Sequence, residues 1–187
     1  DVLAVTRRAA EQHPTDAGVA RLHVEALLAA GQADEAWRAS QPFLYDAASR
    51  EDFTGLAVRS AAEAGRLDAW LAELARAVHD GAPPAMPRAL AAALASGPRA
   101  AAAVPLWQAL LARQPDDAHL AWVLANTLRA TGRLEEALLV LVRLVRANPD
   151  ITLLPDDELA AWVRGPVPTA ELLALIERYA TAPERDS

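Results

Sequence analysis

The stretch 118-AHLAWVLANTLRATGRLEEALLVLVRLVRANP-149 decides how this chain folds. Its first half repeats small and apolar side chains at Ala121, Leu124, Ala125 and Leu128, the i, i+3, i+4, i+7 spacing of one helix face. Gly132 ends that helix, because a left-handed cap costs least without a Cβ. Glu135 and Glu136 follow in the first turn of a second helix, where the macrodipole favours negative charge. That second helix, 133–147, is apolar almost all round through Leu134, Leu138, Leu139, Val140, Leu141, Val142, Leu144 and Val145. A helix buried on most faces suits the middle layer of a stack. Arg143, Arg146 and its short length exclude a membrane span. Asn148-Pro149-Asp150 closes the unit, which reads as a two-helix hairpin.

The same grammar recurs along the chain. Gly31-Gln-Ala-Asp-Glu-Ala36 aligns with Gly132-Arg-Leu-Glu-Glu-Ala137, and between them lie Gly65-Arg-Leu-Asp-Ala-Trp70 and Gly97-Pro-Arg-Ala-Ala-Ala102. Gly165-Pro-Val-Pro-Thr-Ala170 is a fifth, weaker copy. Successive glycines stand 34, 32, 35 and 33 residues apart. Pro115 and Pro149 are 34 apart, and Pro14 and Pro115 each precede a repeat glycine by 17. Markers in phase at this period signal a repeat architecture. The turns His13-Pro14-Thr15-Asp16 and Gln114-Pro115-Asp116-Asp117 offer Asp or Thr to cap the following helix. Helix pairs are therefore expected at about 17–30 with 33–46, 51–64 with 67–79, 85–96 with 99–113, and 117–130 with 133–147. A shorter pair is expected at about 156–164 and 169–181, and residues 1–12 read as the tail of a second helix whose partner is missing.

Composition agrees with an all-α chain. Of its 187 residues, 53% are hydrophobic and 23% charged, which excludes intrinsic disorder. Alanine and leucine dominate, while β-branched and aromatic strand formers are scarce. The absence of Cys removes disulfides, thiolate metal sites and cysteine catalysis. A net charge of -7 argues against non-specific nucleic-acid binding. No apolar run reaches the roughly 18 residues of a transmembrane helix, and no signal peptide opens the chain. All 18 basic residues are Arg, as GC-rich bacterial codon usage produces. With Asp1 rather than Met as its first residue, the chain is expected to be a piece of a longer protein, and its compartment is expected to be cytoplasmic, with the periplasm compatible.

These residues resemble the tetratricopeptide repeat family. In the copy at 118–149, Leu124, Ala125, Leu128, Gly132, Ala137, Leu141, Leu144 and Pro149 stand at the family's packing positions. Ala121 and Leu128 replace two of its usual aromatics, so the repeats are degenerate and of bacterial type. The resemblance is strongest at 14–48 and 115–149 and weakest at 80–98, where Gly81, Pro83, Pro84 and Pro87 must break or shorten a helix. Trp70 replaces a small residue at a close-packing position, so the junction there is expected to be distorted. The resemblance implies a right-handed α-solenoid of stacked antiparallel helix hairpins. It would form a single domain over 1–187, with repeats at about 17–48, 51–80, 83–115, 118–149 and 152–182, and 1–14 as the end of a preceding repeat.

Catalytic constellations are absent from the sequence. His13, His23, His79 and His119 are never i, i+3 or i+4 apart, so no metal site has its ligands in register. His23 reads as a core histidine. No phosphate loop, dinucleotide fingerprint or nucleophile elbow occurs. The acidic runs Asp116-Asp117, Glu135-Glu136 and Asp156-Asp157-Glu158 all fall at expected helix N-termini, where capping explains them. The chain is expected to be no enzyme and to need no cofactor or metal.

A binding surface is legible instead. On helix 117–130, His119, Trp122, Asn126 and Arg129 form a stripe separate from the apolar one. In the resembling family the first helix of each pair lines a concave groove, and this stripe is the groove face. The same register gives Arg21 and Glu25, then Asp52, Arg59 and Glu63, then Arg88. One reading is a peptide groove with Trp122 as apolar anchor and arginines clamping carboxylates. The other is a solvated face on which Trp122 packs against a neighbouring helix. Trp37, Trp70, Trp107 and Trp162 read as packing residues. A chaperone-tail clamp is not expected, since only Asn126 matches while Trp122, Arg21 and Gly55 occupy the positions of its basic residues. The expected function is a protein-protein interaction scaffold for a protein or peptide partner, an acidic one among them, with self-association through end repeats as a further route. The alternative is a helical accessory or substrate-recognition region of a larger bacterial enzyme or polysaccharide-secretion protein. Neither nucleic acid nor a membrane span is expected.

Overall fold

A computed structural model describes residues 2–147. Among the described residues the chain forms nine helices and no strand. They are α1 (Val2–Gln12), α2 (Ala17–Ala29), α3 (Ala33–Tyr45), α4 (Arg50–Glu63), α5 (Leu67–His79), α6 (Ala85–Ala95), α7 (Ala100–Arg113), α8 (Ala118–Ala130) and α9 (Leu134–Ala147). The expected all-α fold of helix hairpins is what the chain adopts, and each helix falls within one or two residues of its reading from sequence. The expected pair at 156–164 and 169–181, with Gly165 and Trp162, lies outside the described residues.

Local chemistry explains the helix ends. Asp16 and Asp117 cap α2 and α8, their Oδ1 atoms accepting from the Val19 and Leu120 amides at 3.0 Å. Gly31, Gly65 and Gly132 adopt φ of 73°, 68° and 79°. At each, the next residue's amide reaches back to the carbonyl five residues before it: Gln32 to Leu27, Arg66 to Ala61, Arg133 to Leu128, at 2.8–2.9 Å. The glycine amide itself donates to the carbonyl three residues back. This paired pattern satisfies the helix's last carbonyls while turning the chain. Gly97 departs from expectation. Its φ is not positive and it lacks the long bond, because the Pro98 that follows has no N–H to donate. Gly81 takes that conformation instead, at φ 106°, and closes α5. The proline cluster gathers ahead of α6, with Pro84 at its cap and Pro87 in its first turn, where a missing N–H is tolerated. That leaves α6 only 11 residues long.

The chain divides into two compact units, Asp1–Leu110 and Leu111–Ser187. In the first, α1 through α6 pack successively, and α2–α4 and α4–α6 also touch directly. First helices of successive pairs thus form one row. Ala36, Ala57, Ala61 and Ala91 are fully buried and let backbones approach, around Val24, Leu27, Leu44, Phe53, Val78 and Leu90. Phe43 on α3 stacks on Phe53 of α4 at 4.6 Å and 15°. Arg50 at the start of α4 donates to the Leu44 and Tyr45 carbonyls at 2.9 and 3.3 Å, capping α3 with a cation. Trp70 is buried and meets Trp37 edge-on at 6.2 Å and 79°. Arg66 pairs with Asp34 and lies 5.4 Å over the Trp37 ring. Trp107 is buried on α7. In the second unit α8 packs on α9, with Ala121, Leu124, Ala125, Leu128 and Ala137 buried as the apolar stripes require.

The two kinds of glycine should separate on mutation. Nothing lies within 4 Å of a Cβ built at Gly65, so Gly65→Ala pays only for left-handed backbone, about 1–2 kcal/mol. At Gly97 a Cβ would sit 3.7 Å from the Leu94 carbonyl, an ordinary contact, so Gly97→Ala should be neutral or stabilising by about 0.5 kcal/mol. Urea unfolding of both variants checks the contrast.

Candidate binding surface

On α8 the structure separates the two stripes read from sequence. Leu120, Ala121, Leu124, Ala125, Thr127 and Leu128 are buried, whereas His119 is exposed and Trp122, Asn126 and Arg129 are half-buried. The indole of Trp122 is therefore not enclosed as a core side chain. Buried Thr127 satisfies its hydroxyl on its own helix, donating to the Val123 carbonyl at 2.8 Å.

In the first unit the remaining site residues stand on the row of first helices. Arg21 and Glu25 on α2 are exposed, Asp52, Arg59 and Glu63 on α4 are exposed, and Arg88 on α6 is half-buried. Arg21, Gly55 and Arg88 are equivalent by the repeat, as are Glu25, Arg59 and Ala92. Gly55 is exposed with nothing within 4 Å of its would-be Cβ, so it leaves a gap between two arginine positions. Sequence reasoning used Gly55 only to exclude a clamp and missed the opening. Arg59 Nε donates to Glu63 Oε1 at 2.8 Å across one helical turn. With side chains 58% and 40% exposed, such a pair is worth only about 0.3–0.5 kcal/mol. Separating Arg59 from Glu63 therefore costs little.

None of these residues lines the cleft of about 530 Å³ that the first unit carries. That cleft lies between the α4–α5 turn and the start of α7, walled by Gly65, Leu67, Asp68 and Arg99 and floored by alanines. No sequence signal marked it, since Asp68 and Arg99 belong to different pairs.

One member of each described acidic pair has a structural partner. Asp117 caps α8, and Glu136 takes two donors from Arg133 at 2.6 and 2.7 Å, which hold its carboxyl below the usual range. Asp46 is likewise lowered, chiefly by the Ser49 hydroxyl at 2.8 Å. Among the described residues no three His, Asp or Glu side chains gather as metal ligands, and no helix is long and apolar enough to cross a membrane. Asp156-Asp157-Glu158 lies outside the described residues.

His23 is half-buried between α2 and α1, its Nδ1 3.3 Å from Thr6 Oγ1. Burial, then the nearby Arg7, lowers its pKa from 6.5, against smaller opposing effects of Glu35 and Glu11. The folded state thus binds this proton less readily than the unfolded one. Stability from His23 is complete above 6.5 and lost as pH falls through the lowered folded value. Wild type should lose more stability than His23→Gln on acidification from pH 7 to about 5, read as urea midpoints.

Residues 93–154 match the family model of the tetratricopeptide repeat. The matched segment spans the end of α6, α7, α8 and α9, and so includes the copy at 118–149. No curated protein matches the chain. With glycine closing the hairpins and the family match over this segment, residues 93–154 are assigned to the tetratricopeptide repeat.

Proposed function

We propose that this chain is a non-catalytic scaffold that binds a peptide or protein segment on the exposed faces of its first helices. Tetratricopeptide repeats in general mediate protein–protein interaction and carry no catalytic machinery. The observation that carries the reading is Trp122, a large aromatic left half-buried beside a fully buried apolar stripe on the same helix. An indole in that position supplies apolar area at little entropic cost, and it has room to lose more water on binding. Asn126 one turn along offers both a donor and an acceptor to a bound backbone, and Arg129 and His119 extend the face. On the first unit Arg21, Arg59 and Arg88 are the carboxylate contacts, with Glu25 the counter-charge that rejects acidic residues at its own position.

Peptides selected from a random library on the chain should be enriched in Asp and Glu around an apolar residue. Trp122→Ala should weaken them by about 2–4 kcal/mol while leaving the melting temperature within a few degrees. Arg59→Ala should weaken them less, and its effect should vanish at high salt. Equal binding by Trp122→Ala, or its unfolding, rejects the anchor role.

A further inference from the structure

The joint where α3 meets the start of α5 recurs where α5 meets the start of α7, but with its rings removed. The buried residues Trp70, Leu71 and Leu74 of α5 match Ala103, Val104 and Trp107 of α7, 33 residues on. The same register sets Arg66, directly before α5, against Arg99, directly before α7. On the other side of each joint Asp34 of α3 matches Asp68 of α5, and Trp37 matches Leu71, both 34 residues on.

In the first joint Arg66 pairs with Asp34 and lies over the Trp37 ring, while Trp70 meets Trp37 edge-on. Both charges are neutralised and the space between them is filled. In the second joint Leu71 and Ala103 stand in place of the two indoles. The cleft of about 530 Å³ opens there, and Asp68 and Arg99 both line it. Their side chains are exposed, and among the described residues they form no hydrogen bond or ion pair, either with each other or with a third group. The rest of the lining, Ala62, Gly65, Leu67, Ala101 and Ala102, brings no charge.

We infer that this cleft binds a short zwitterionic peptide, its ammonium on Asp68 and its carboxylate on Arg99. The volume suits a small ligand, of about two or three residues. A lone anion drawn to Arg99 would meet the Asp68 carboxylate in the same cleft, and a lone cation drawn to Asp68 would meet Arg99. Only a ligand carrying both charges is attracted at both ends. Arg99 offers a carboxylate two parallel N–H donors, and Asp68 offers an ammonium two acceptor oxygens. The alanine floor admits small aliphatic side chains. None of the groove residues lines this cleft, so the site is independent of the groove reading.

Alanine, dialanine and trialanine set their two charges progressively further apart. Each is titrated into the chain while the amide resonances of Gly65, Asp68, Arg99 and Ala101 are followed. At least one of the three should give saturable shifts at these amides. N-acetylation or C-terminal amidation of that ligand should remove them, because each cap deletes one charge. Asp68→Asn and Arg99→Gln should each weaken binding about fivefold, the scale of an exposed charge contact, and leave the melting temperature in place. Absence of saturable shifts from all three ligands at millimolar concentration overturns the proposal. Equal binding of the capped forms overturns it too, as do shifts that persist undiminished in both neutral variants.

Discussion

The turn at each repeat glycine is the constraint on which the rest depends. A helix leaves its last carbonyls unsatisfied, and reversing the chain within two residues would ordinarily bury some of them. At Gly31, Gly65 and Gly132 the left-handed backbone resolves both problems, returning two amides to those carbonyls as it reverses direction. At these three glycines the turn has one shape, so the second helix leaves the first in the same way in each of their pairs. Ala36 in the first unit and Ala137 in the second, each five residues after its turn glycine, are both fully buried.

Joints between pairs are more varied, and they are built from side chains. Arg50 closes the α3–α4 joint by hydrogen-bonding carbonyls at the end of α3, while Ser49 and Asp46 tie the loop between them. The next joint uses an aromatic cluster. Arg66 bridges Asp34 and the Trp37 face, and Trp70 presses edge-on against Trp37. Trp70 stands where the other pairs have alanine, so this joint is filled by ring area rather than by close backbone approach. The ion pair within it is half exposed and contributes little by itself; the rings and the methylenes of Arg66 supply the packing.

Among the described residues the buried hydroxyls of Ser40, Ser60 and Thr127 donate to carbonyls of their own helices. In the first unit Arg21, Glu25, Asp52, Arg59 and Glu63 stand exposed on the first helices, and in the second His119 stands exposed beside the buried stripe of α8.

Period and amphipathic pattern by themselves determined the helices and most of the buried stripes, since these depend on local spacing and on glycine's freedom at positive φ. Leu124, Ala125, Leu128 and Ala137 were all legible as core for that reason. The separation of Trp122 from that core was legible too, because both stripes lie on one helix. Only tertiary structure decided that Gly81 rather than Gly97 makes the fourth left-handed turn, because Pro98 removes an amide that the motif requires. It also decided which charges meet. Arg66 finds Asp34 across two repeats, and Arg59 turns to Glu63 on its own helix. Periodicity assigns a side chain to a face, but which neighbour it meets there depends on how the next pair stacks.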